Sequence, residues 1–176
     1  MVPMNLEISG AFAFSVKEQK DDRGSLVRIF DSIKPFASFK VLQASYIQNP
    51  LAGTLRGIHF QLKQHAETKI VQCVTGKVFD VIVDIEEESD TYGKACSIYL
   101  GPEEEFQGIF IPKKCAHGYL TISDNSNLTY FMDKKYSPEN SRGIRWNDPT
   151  IGVSWPTEPK LIAKKDSELP FFGLKK

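Results

Sequence analysis

The segment Gly53–Gln61, with the sequence Gly-Thr-Leu-Arg-Gly-Ile-His-Phe-Gln, holds one of the three histidines of the chain. Histidine titrates near neutral pH, so His59 can take up and release a proton under physiological conditions. In an extended segment alternate residues share a face, which places Gly57, His59 and Gln61 together. Arg56 joins that face only if Gly57 bends or bulges the strand, as glycine permits. The segment by itself is therefore compatible with proton transfer, with a cation beside the histidine if the strand is bulged, but also with a metal ligand or a structural histidine.

The histidines also raise the question of a metal site. A cupin-type metal centre usually needs a His-x-His pair and a carboxylate, but Gln61 follows His59 at the partner position and His65 is six residues away. We therefore expect no metal and no other cofactor. His117 follows a proline turn and begins a strand candidate, where a side chain can face a cavity, although a lone strand histidine is more often structural.

Four charged residues lie in apolar segments. Arg56 and Lys69 would each need an anion nearby if they point inward, and a bound diphosphate or a developing enolate would serve. Asp80 and Asp84 are four residues apart in a Val-, Ile- and Phe-rich strand candidate, so they share a face. Buried carboxylates are unusual unless each has a partner.

Short alternating segments, separated by turn signals about every ten residues, predict an antiparallel β-sandwich or barrel. The strand candidates are 11–16, 26–30, 41–48, 53–61, 69–74, 78–85, 96–100, 107–111, 118–122 and 127–132. A polar turn is expected at 17–24, and a short helix at 31–39 that Pro35 limits. We expect one domain over residues 1–176.

The last forty residues, from Ser137 onward, contain five of the ten prolines of the chain. This density predicts an irregular wrap that ends in a short helix. Trp146 and Trp155 are the residues through which we expect the wrap to pack.

Bulk composition excludes several classes of partner. The 22 basic and 22 acidic residues cancel, so no global field would attract nucleic acid or an anionic membrane. No apolar run approaches the roughly 20 residues of a membrane span, and no signal-peptide pattern opens the chain. Cys73, Cys96 and Cys115 are odd in number and widely spaced, which favours reduced core thiols and a cytoplasmic protein.

Read together, these residues resemble the dTDP-4-dehydrorhamnose 3,5-epimerase family. The segment 53–61 is similar to the family signature Gly-Val-Leu-Arg-Gly-Leu-His-Phe-Gln, and the likeness continues in order along nearly the whole chain. It runs through Lys69-Ile70-Val71, 76–84, Ile111-Pro112, Ala116–Tyr119, Tyr136-Ser137-Pro138, 146–149, Ile151-Gly152, Trp155-Pro156 and Lys165-Asp166. The resemblance implies an all-β, cupin-like jelly roll with a few short peripheral helices. It also implies a homodimer that works without metal.

The resemblance assigns four catalytic positions. His59 matches the base and Asp166 the carboxylate that pairs with it. Tyr130 matches the proton donor on the opposite face of the sugar, and Lys69 matches the lysine beside the C4 oxygen. Without the resemblance, Tyr130 would be read as a packing residue and Asp166 as a surface residue.

Further positions are expected to contact substrate. They are Arg23, Arg56, Gln61, Asp80, His117, Gln48, Tyr136 and Lys165. Among them, Arg23 matches a nucleotide-contacting arginine that the partner subunit contributes.

The implied reaction inverts C3 and C5 of a dTDP-4-keto-6-deoxy sugar. The carbons beside a ketone are weakly acidic because the carbanion delocalises onto oxygen, so a base on one face and an acid on the other can invert them. Lys69 would stabilise the enolate oxygen.

Departures from the family pattern lie on the nucleotide side. Arg28 stands near the position of a common glutamate, and Gln72 and Glu86 stand where arginines are frequent. An epimerase acting at C3 alone, or on a GDP- or CDP-linked sugar, therefore stays open. A related-fold ketoisomerase would lack the Tyr130 and Asp166 context, and a non-catalytic sugar-binding protein would not need the acid and base.

Overall fold

A computed structural model describes residues 2–31 and 35–173. Over these residues the chain forms fourteen β-strands, two 3₁₀ turns at Lys63–His65 and Pro138–Asn140, and one short helix, α1 (Lys164–Ser167). The strands are β1 (Val2–Asn5), β2 (Phe12–Ser15), β3 (Glu18–Asp21), β4 (Gly24–Val27), β5 (Gln43–Ile47), β6 (Thr54–Gln61), β7 (Lys69–Thr75), β8 (Val78–Asp84), β9 (Ala95–Leu100), β10 (Gly108–Ile111), β11 (Cys115–Thr121), β12 (Asn127–Met132), β13 (Ser141–Gly143) and β14 (Leu161–Ile162).

The strands build two large sheets. One has the order β1-β2-β10-β7-β12-β5, and the other has the order β13-β6-β11-β8-β9 with β14 added beside β6. All the pairings in both sheets are antiparallel except that of β14 with β6. The antiparallel all-β prediction is thereby confirmed.

Alternation along the strands divides the apolar side chains among three clusters. The central cluster lies between the two sheets, where Val71 and Ile109 of one sheet meet Val78 and Ile82 of the other. The other two clusters cover the outer faces. One of these is a group of phenylalanines that includes Phe14, Phe36 and Phe39.

The C-terminal wrap covers the outer face of the β6-containing sheet. Trp146 and Trp155 pack there against Leu55 and Ile151, and Trp155 Nε1–H donates to the carbonyl oxygen of Trp146. This confirms the packing expected from the sequence. The wrap then runs beside β6 as β14 and turns into α1.

Strand β6, which contains most of the segment Gly53–Gln61, carries a bulge. His59 pairs with His117 and Arg56 with Tyr119, so the step between the two pairs takes three residues in β6 and two in β11. Gly57 has a φ of +119°, and a Cβ at this position would lie 2.5 Å from Gly118 Cα. Only glycine fits such a conformation at such close approach, and the bulge expected at this residue is confirmed.

Two local predictions differ from the structure. Residues 35–39 form turns rather than part of a helix, because Phe36 and Phe39 both turn into the phenylalanine cluster; residues 32–34 of that prediction lie outside the described residues. The polar stretch 17–24 is a hairpin of β3 and β4 rather than a simple turn. Within the described residues, no helix is long and apolar enough to cross a membrane.

Candidate active site

A cavity of about 440 Å³ opens between β6, β7, β11 and β12 and is bordered by the end of the C-terminal wrap. Its lining residues are Ile47, Thr54, Leu55, Arg56, His59, Lys69, His117, Tyr119, Tyr130, Leu161, Ile162, Ala163, Lys165 and Asp166. All four residues expected to be catalytic are among them. Because of the bulge at Gly57, Arg56 and His59 both line it.

His59 is held by a buried carboxylate. Its Nε2 lies 2.9 Å from Asp166 Oδ1, and the other oxygen of Asp166 accepts the Gly57 backbone N–H at 3.2 Å. Burial acts to raise the pKa of Asp166, but the hydrogen bond and charge of His59, the Gly57 N–H and nearby Lys165 together lower it. An ionised Asp166 accepts the Nε2–H, so Nδ1 of His59 is left with a lone pair that can take a proton.

Lys69 forms an ion pair inside the protein. Its Nζ lies 2.8 Å from Glu67 Oε1, and both side chains are less than one-tenth exposed. The second Glu67 oxygen accepts from the Gln61 amide at 2.9 Å, and Lys69 Nζ also lies 3.5 Å from the carbonyl oxygen of His59. The cation is thus fixed beside the histidine and remains on the cavity wall.

A second histidine–carboxylate pair stands behind Tyr130. His117 Nε2 lies 2.9 Å from Asp80 Oδ2, and His117 Nδ1 lies 3.4 Å from the Tyr130 hydroxyl. Burial raises the pKa of Tyr130 well above its usual value, and the nearby Tyr119 and Asp80 add to this, whereas Arg56 opposes it. Tyr130 therefore carries its proton at neutral pH and has one to give.

Arg56 is oriented by Asn49. The guanidinium Nε–H donates to Asn49 Oδ1 at 2.9 Å, and the same oxygen lies 3.3 Å from the Tyr119 hydroxyl. Asn49 is itself fixed, since its side-chain amide donates to the carbonyl oxygen of Ser126 at 2.7 Å. The remaining guanidinium N–H groups are the ones that can meet a phosphate.

The other residues expected to bind substrate lie in different places. Lys165 lines the cavity, and Asp80 lies directly behind His117. Gln61 does not line it, and its amide is bonded to Glu67, His65, Lys135 and Ser137. Gln48, Tyr136 and Arg23 are exposed outside the cavity, and Arg23 pairs with Asp21 on the tip of the β3–β4 hairpin.

Sequence reasoning missed three residues that shape the site: Glu67, Asn49 and Tyr119. Tyr119 was detectable, because it is two residues from His117 in an extended segment and so shares its face. Glu67 lies likewise two residues from Lys69, at the end of a loop. Asn49 carried no local signal, because its contact with Arg56 depends on how the loop before β6 folds back.

No group of three or more His, Cys, Asp and Glu side chains suited to hold a metal ion occurs in the part of the chain that the structure describes. The polar groups that line the cavity are instead two histidines, one of the two carboxylates that pair with them, two lysines, an arginine, two tyrosines and a threonine. This set can move protons at two places and hold negative charge between them.

Comparison with known proteins gives a consistent result. The family model for dTDP-4-dehydrorhamnose 3,5-epimerase matches residues 5–173. A dTDP-4-dehydrorhamnose 3,5-epimerase from Shigella flexneri is 36% identical over 164 residues, which is 91% of this chain and 90% of the relative.

Solved structures share the fold. A dTDP-6-deoxy-D-glucose-3,5-epimerase from Legionella pneumophila Philadelphia 1, in complex with dTDP-4-keto-L-rhamnose, has a TM-score of 0.89 at 27% identity, covering 97% of this chain and 92% of that one. A 3′-monoepimerase from Streptomyces bikiniensis, in complex with dTDP-quinovose, has a TM-score of 0.86 at 25% identity, covering 94% of this chain and 85% of that one. Together with the antiparallel sheets, these likenesses confirm the cupin-like jelly roll.

Proposed function

Because this chain belongs to the dTDP-4-dehydrorhamnose 3,5-epimerase family, we propose that it inverts C3 and C5 of a dTDP-4-keto-6-deoxy sugar. The observation that carries the proposal is the meeting of His59, Asp166, Lys69 and Tyr130 around one cavity. A protein that only bound sugars would have no need of this combination of base, orienting carboxylate, cation and acid.

In the proposed reaction His59 Nδ1 removes the proton from the carbon next to the C4 ketone. Asp166 holds the imidazole in the tautomer that leaves Nδ1 free, and it stabilises the imidazolium that forms. Lys69 stabilises the enolate oxygen that carries the negative charge. Tyr130 then gives its proton to the opposite face of the carbon, which inverts it.

Binding is assigned to the residues at the edges of the same cavity. Arg56, fixed by Asn49, faces the cavity with N–H groups suited to a diphosphate, and Lys165 adds a second cation. Crystal structures of family relatives contain dTDP sugars, which supports dTDP as the nucleotide carrier. Arg28, at a nucleotide-side position of the family pattern, is the reason to test GDP- and CDP-linked sugars as well.

We also propose that the protein works as a homodimer. Arg23 lies on the β3–β4 hairpin, whose strand residues are all exposed, and its side chain is 90% exposed and away from its own cavity. The hairpin carries apolar side chains, Leu26 and Val27, that a second subunit would cover. Sedimentation velocity tests the oligomeric state, and we expect a dimer for both the wild type and an Arg23→Ala variant. Substrate binding by the variant, measured separately, should be weaker than that of the wild type. A monomeric protein that is fully active would contradict the homodimer.

The function is tested by incubating the protein with dTDP-4-keto-6-deoxyglucose in D₂O and following C3 and C5 by NMR. Deuterium at both carbons, with inverted products, is expected. Deuterium at C3 alone would identify a C3-only epimerase. Absence of label with the dTDP sugar and with its GDP- and CDP-linked analogues would contradict the epimerase function.

A further inference from the structure

From the contacts behind Tyr130, we infer that Asp80 and His117 form a proton relay that turns the Tyr130 hydroxyl toward the sugar and restores its proton. The relay rests on the proposed function, because it serves the acid of that reaction. Asp80 and His117 lie on the paired strands β8 and β11 of one sheet, and Tyr130 lies on β12 of the other. The three side chains form one continuous series of hydrogen bonds.

The hydrogen bonds among Asp80, His117 and Tyr130 allow the Tyr130 O–H to point in two directions, either to His117 Nδ1 or into the cavity. When His117 is neutral, its Nε2–H donates to Asp80, and its bare Nδ1 accepts the Tyr130 hydroxyl, which draws that proton away from the cavity. When His117 carries a proton on both nitrogens, Nδ1–H donates to the Tyr130 oxygen. The Tyr130 O–H is then free to point into the cavity, as an acid must.

The carboxylate of Asp80 is placed to act on His117 through both a hydrogen bond and its charge. This carboxylate is fully buried, Oδ2 is bonded to His117, and Oδ1 has no hydrogen-bond partner among the described residues. A buried carboxylate is costly unless a charge compensates it, and the imidazole of His117, which is bonded to Oδ2, is a group that can carry one. The side chain of His117 is only 3% exposed, so a proton shared along this chain of hydrogen bonds is shielded from water.

A proton on His117 Nδ1 would help Tyr130 at the moment of proton transfer. Burial raises the pKa of Tyr130 well above its usual value, so a tyrosinate formed there without help would be strongly disfavoured. An Nδ1–H donor at 3.4 Å in the present structure is placed to stabilise the tyrosinate oxygen, and the His117 and Tyr130 rings also contact edge to face, with centroids 5.5 Å apart.

Protons balance over one inversion. The bond from carbon to hydrogen breaks on the His59 face, and that proton stays on His59 Nδ1. The Tyr130 O–H bond breaks on the other face, and a new carbon–hydrogen bond forms. The Nδ1–H proton of His117 then moves to the Tyr130 oxygen, which leaves His117 neutral until it takes a proton from solvent. A second inversion at another carbon can begin once His59 has released its proton and His117 has regained one.

The test measures proton transfer on the two faces of the sugar separately. In D₂O, exchange of the C3 proton with retention reports on His59, whose side chain is 37% exposed and open to solvent, whereas inversion also needs Tyr130. Asp80→Asn keeps the size of the side chain and removes its charge. We expect inversion to fall about 10²-fold while retentive exchange stays within about threefold of the wild-type rate.

The matched control is Asp84→Asn. Asp84 is a second buried carboxylate on the same face of β8, and it is bonded to Ser89 and Thr91 rather than to the cavity. Its substitution should leave the ratio of exchange to inversion unchanged. If Asp80→Asn does not fold, His117→Asn takes its place, with the same expected change in the ratio.

Three results would overturn the relay: exchange and inversion falling in parallel, exchange alone falling, or neither changing.

A double-mutant cycle sharpens the test, because a residue that acts through Tyr130 loses its effect when Tyr130 is absent. In a Tyr130→Phe background, Asp80→Asn should cost less than about twofold in residual inversion or exchange, and a larger additional loss would contradict the relay. A wild-type protein that neither exchanged nor inverted would instead count against the proposed function.

Discussion

His59 Nε2 lies 2.9 Å from Asp166 Oδ1, although 107 positions separate the two residues in the chain. The contact exists because the C-terminal wrap runs beside β6 as the parallel strand β14 and places α1 against the bulge at Gly57. The bulge presents both the Gly57 N–H and the His59 ring to the same carboxylate. The position of the proposed base is therefore set by the last forty residues as much as by its own strand.

The first prediction concerns Asp166. Asp166→Asn should lower kcat about 10²-fold or more, because an amide neither fixes the His59 tautomer by charge nor stabilises the imidazolium. KM should change little, since this carboxylate does its work through His59. Steady-state kinetics check this, and an equal rise in KM with unchanged kcat would contradict the orienting role.

Asp166 should also make the free energy of unfolding depend on pH. Its folded pKa is lowered from 3.8, so its ionised contacts stabilise the fold above that value, and the contribution is lost as pH falls through the folded pKa. The difference in free energy of unfolding between wild type and Asp166→Asn should be full at neutral pH and shrink only below about 3.8. Urea titrations at a series of pH values measure it, and a difference that grew on acidification would be the wrong sign.

The second prediction separates stability from chemistry at Lys69. Lys69→Met leaves the buried Glu67 carboxylate without its cation and should cost about 3–5 kcal/mol in the free energy of unfolding. Adding Glu67→Gln should recover much of the stability without recovering activity, because the enolate still lacks its cation. Urea unfolding and turnover measured on both variants test this. Recovery of activity in the double variant would show that Lys69 acts only in folding.

The third prediction concerns the bulge. Gly57→Ala forces a side chain into a conformation with φ of +119° and a Cβ 2.5 Å from Gly118 Cα, so the bulge must shift. We expect a loss of at least about 1–3 kcal/mol in stability and a loss of activity, because Arg56 and His59 would no longer face one cavity. Gly24→Ala is the control for stability, since Gly24 has a φ of +130° in open space. Equal destabilisation by the two substitutions would show that the close approach to Gly118 is unimportant.

The fourth prediction concerns the cysteines. Burial, with the nearby Asp80 for Cys73 and Asp84 for Cys115, raises the pKa of both thiols to about 12. They should be unreactive toward a disulfide reagent at mildly alkaline pH in the folded protein and react fully in urea. Cys96, which is only partly buried, should be labelled first, and a Cys96→Ser variant isolates the other two. Rapid native labelling of Cys73 or Cys115 would contradict the packing between the sheets.

The sequence was informative where a rule of local geometry applied. Strict alternation put Arg56 and His59 on opposite faces, whereas the family resemblance assigns both to the substrate. Together they required either a twist or bulge at Gly57 or two separate binding surfaces, and the structure contains the bulge. Alternation likewise placed Asp80 and Asp84 inside and required partners for them. The partners are His117 for one and Ser89 with Thr91 for the other.

The sequence carries no local signal for a functional residue whose role depends on contacts between distant segments. Nothing local marks Asn49 as the residue that orients Arg56, or Asp166 as anything but a surface carboxylate. A short helix is expected at 31–39 from the sequence. In residues 35–39, burial of Phe36 and Phe39 against the sheet instead outweighs the small stability of an isolated helical turn. Family resemblance supplied Asp166, because it carries information about the fold that spacing and periodicity do not.

The most direct test of the account is the rate at which deuterium enters C3 and C5 of dTDP-4-keto-6-deoxyglucose with the wild type, His59→Ala and His65→Ala. Removal of the base should lower incorporation at both carbons about 10²–10⁴-fold. His65→Ala should stay near the wild-type rate, since His65 lies in a 3₁₀ turn outside the cavity and its backbone carbonyl is the group that contacts Gln61. A His59→Ala protein that incorporated deuterium as fast as the wild type would contradict the assignment of His59 as the base.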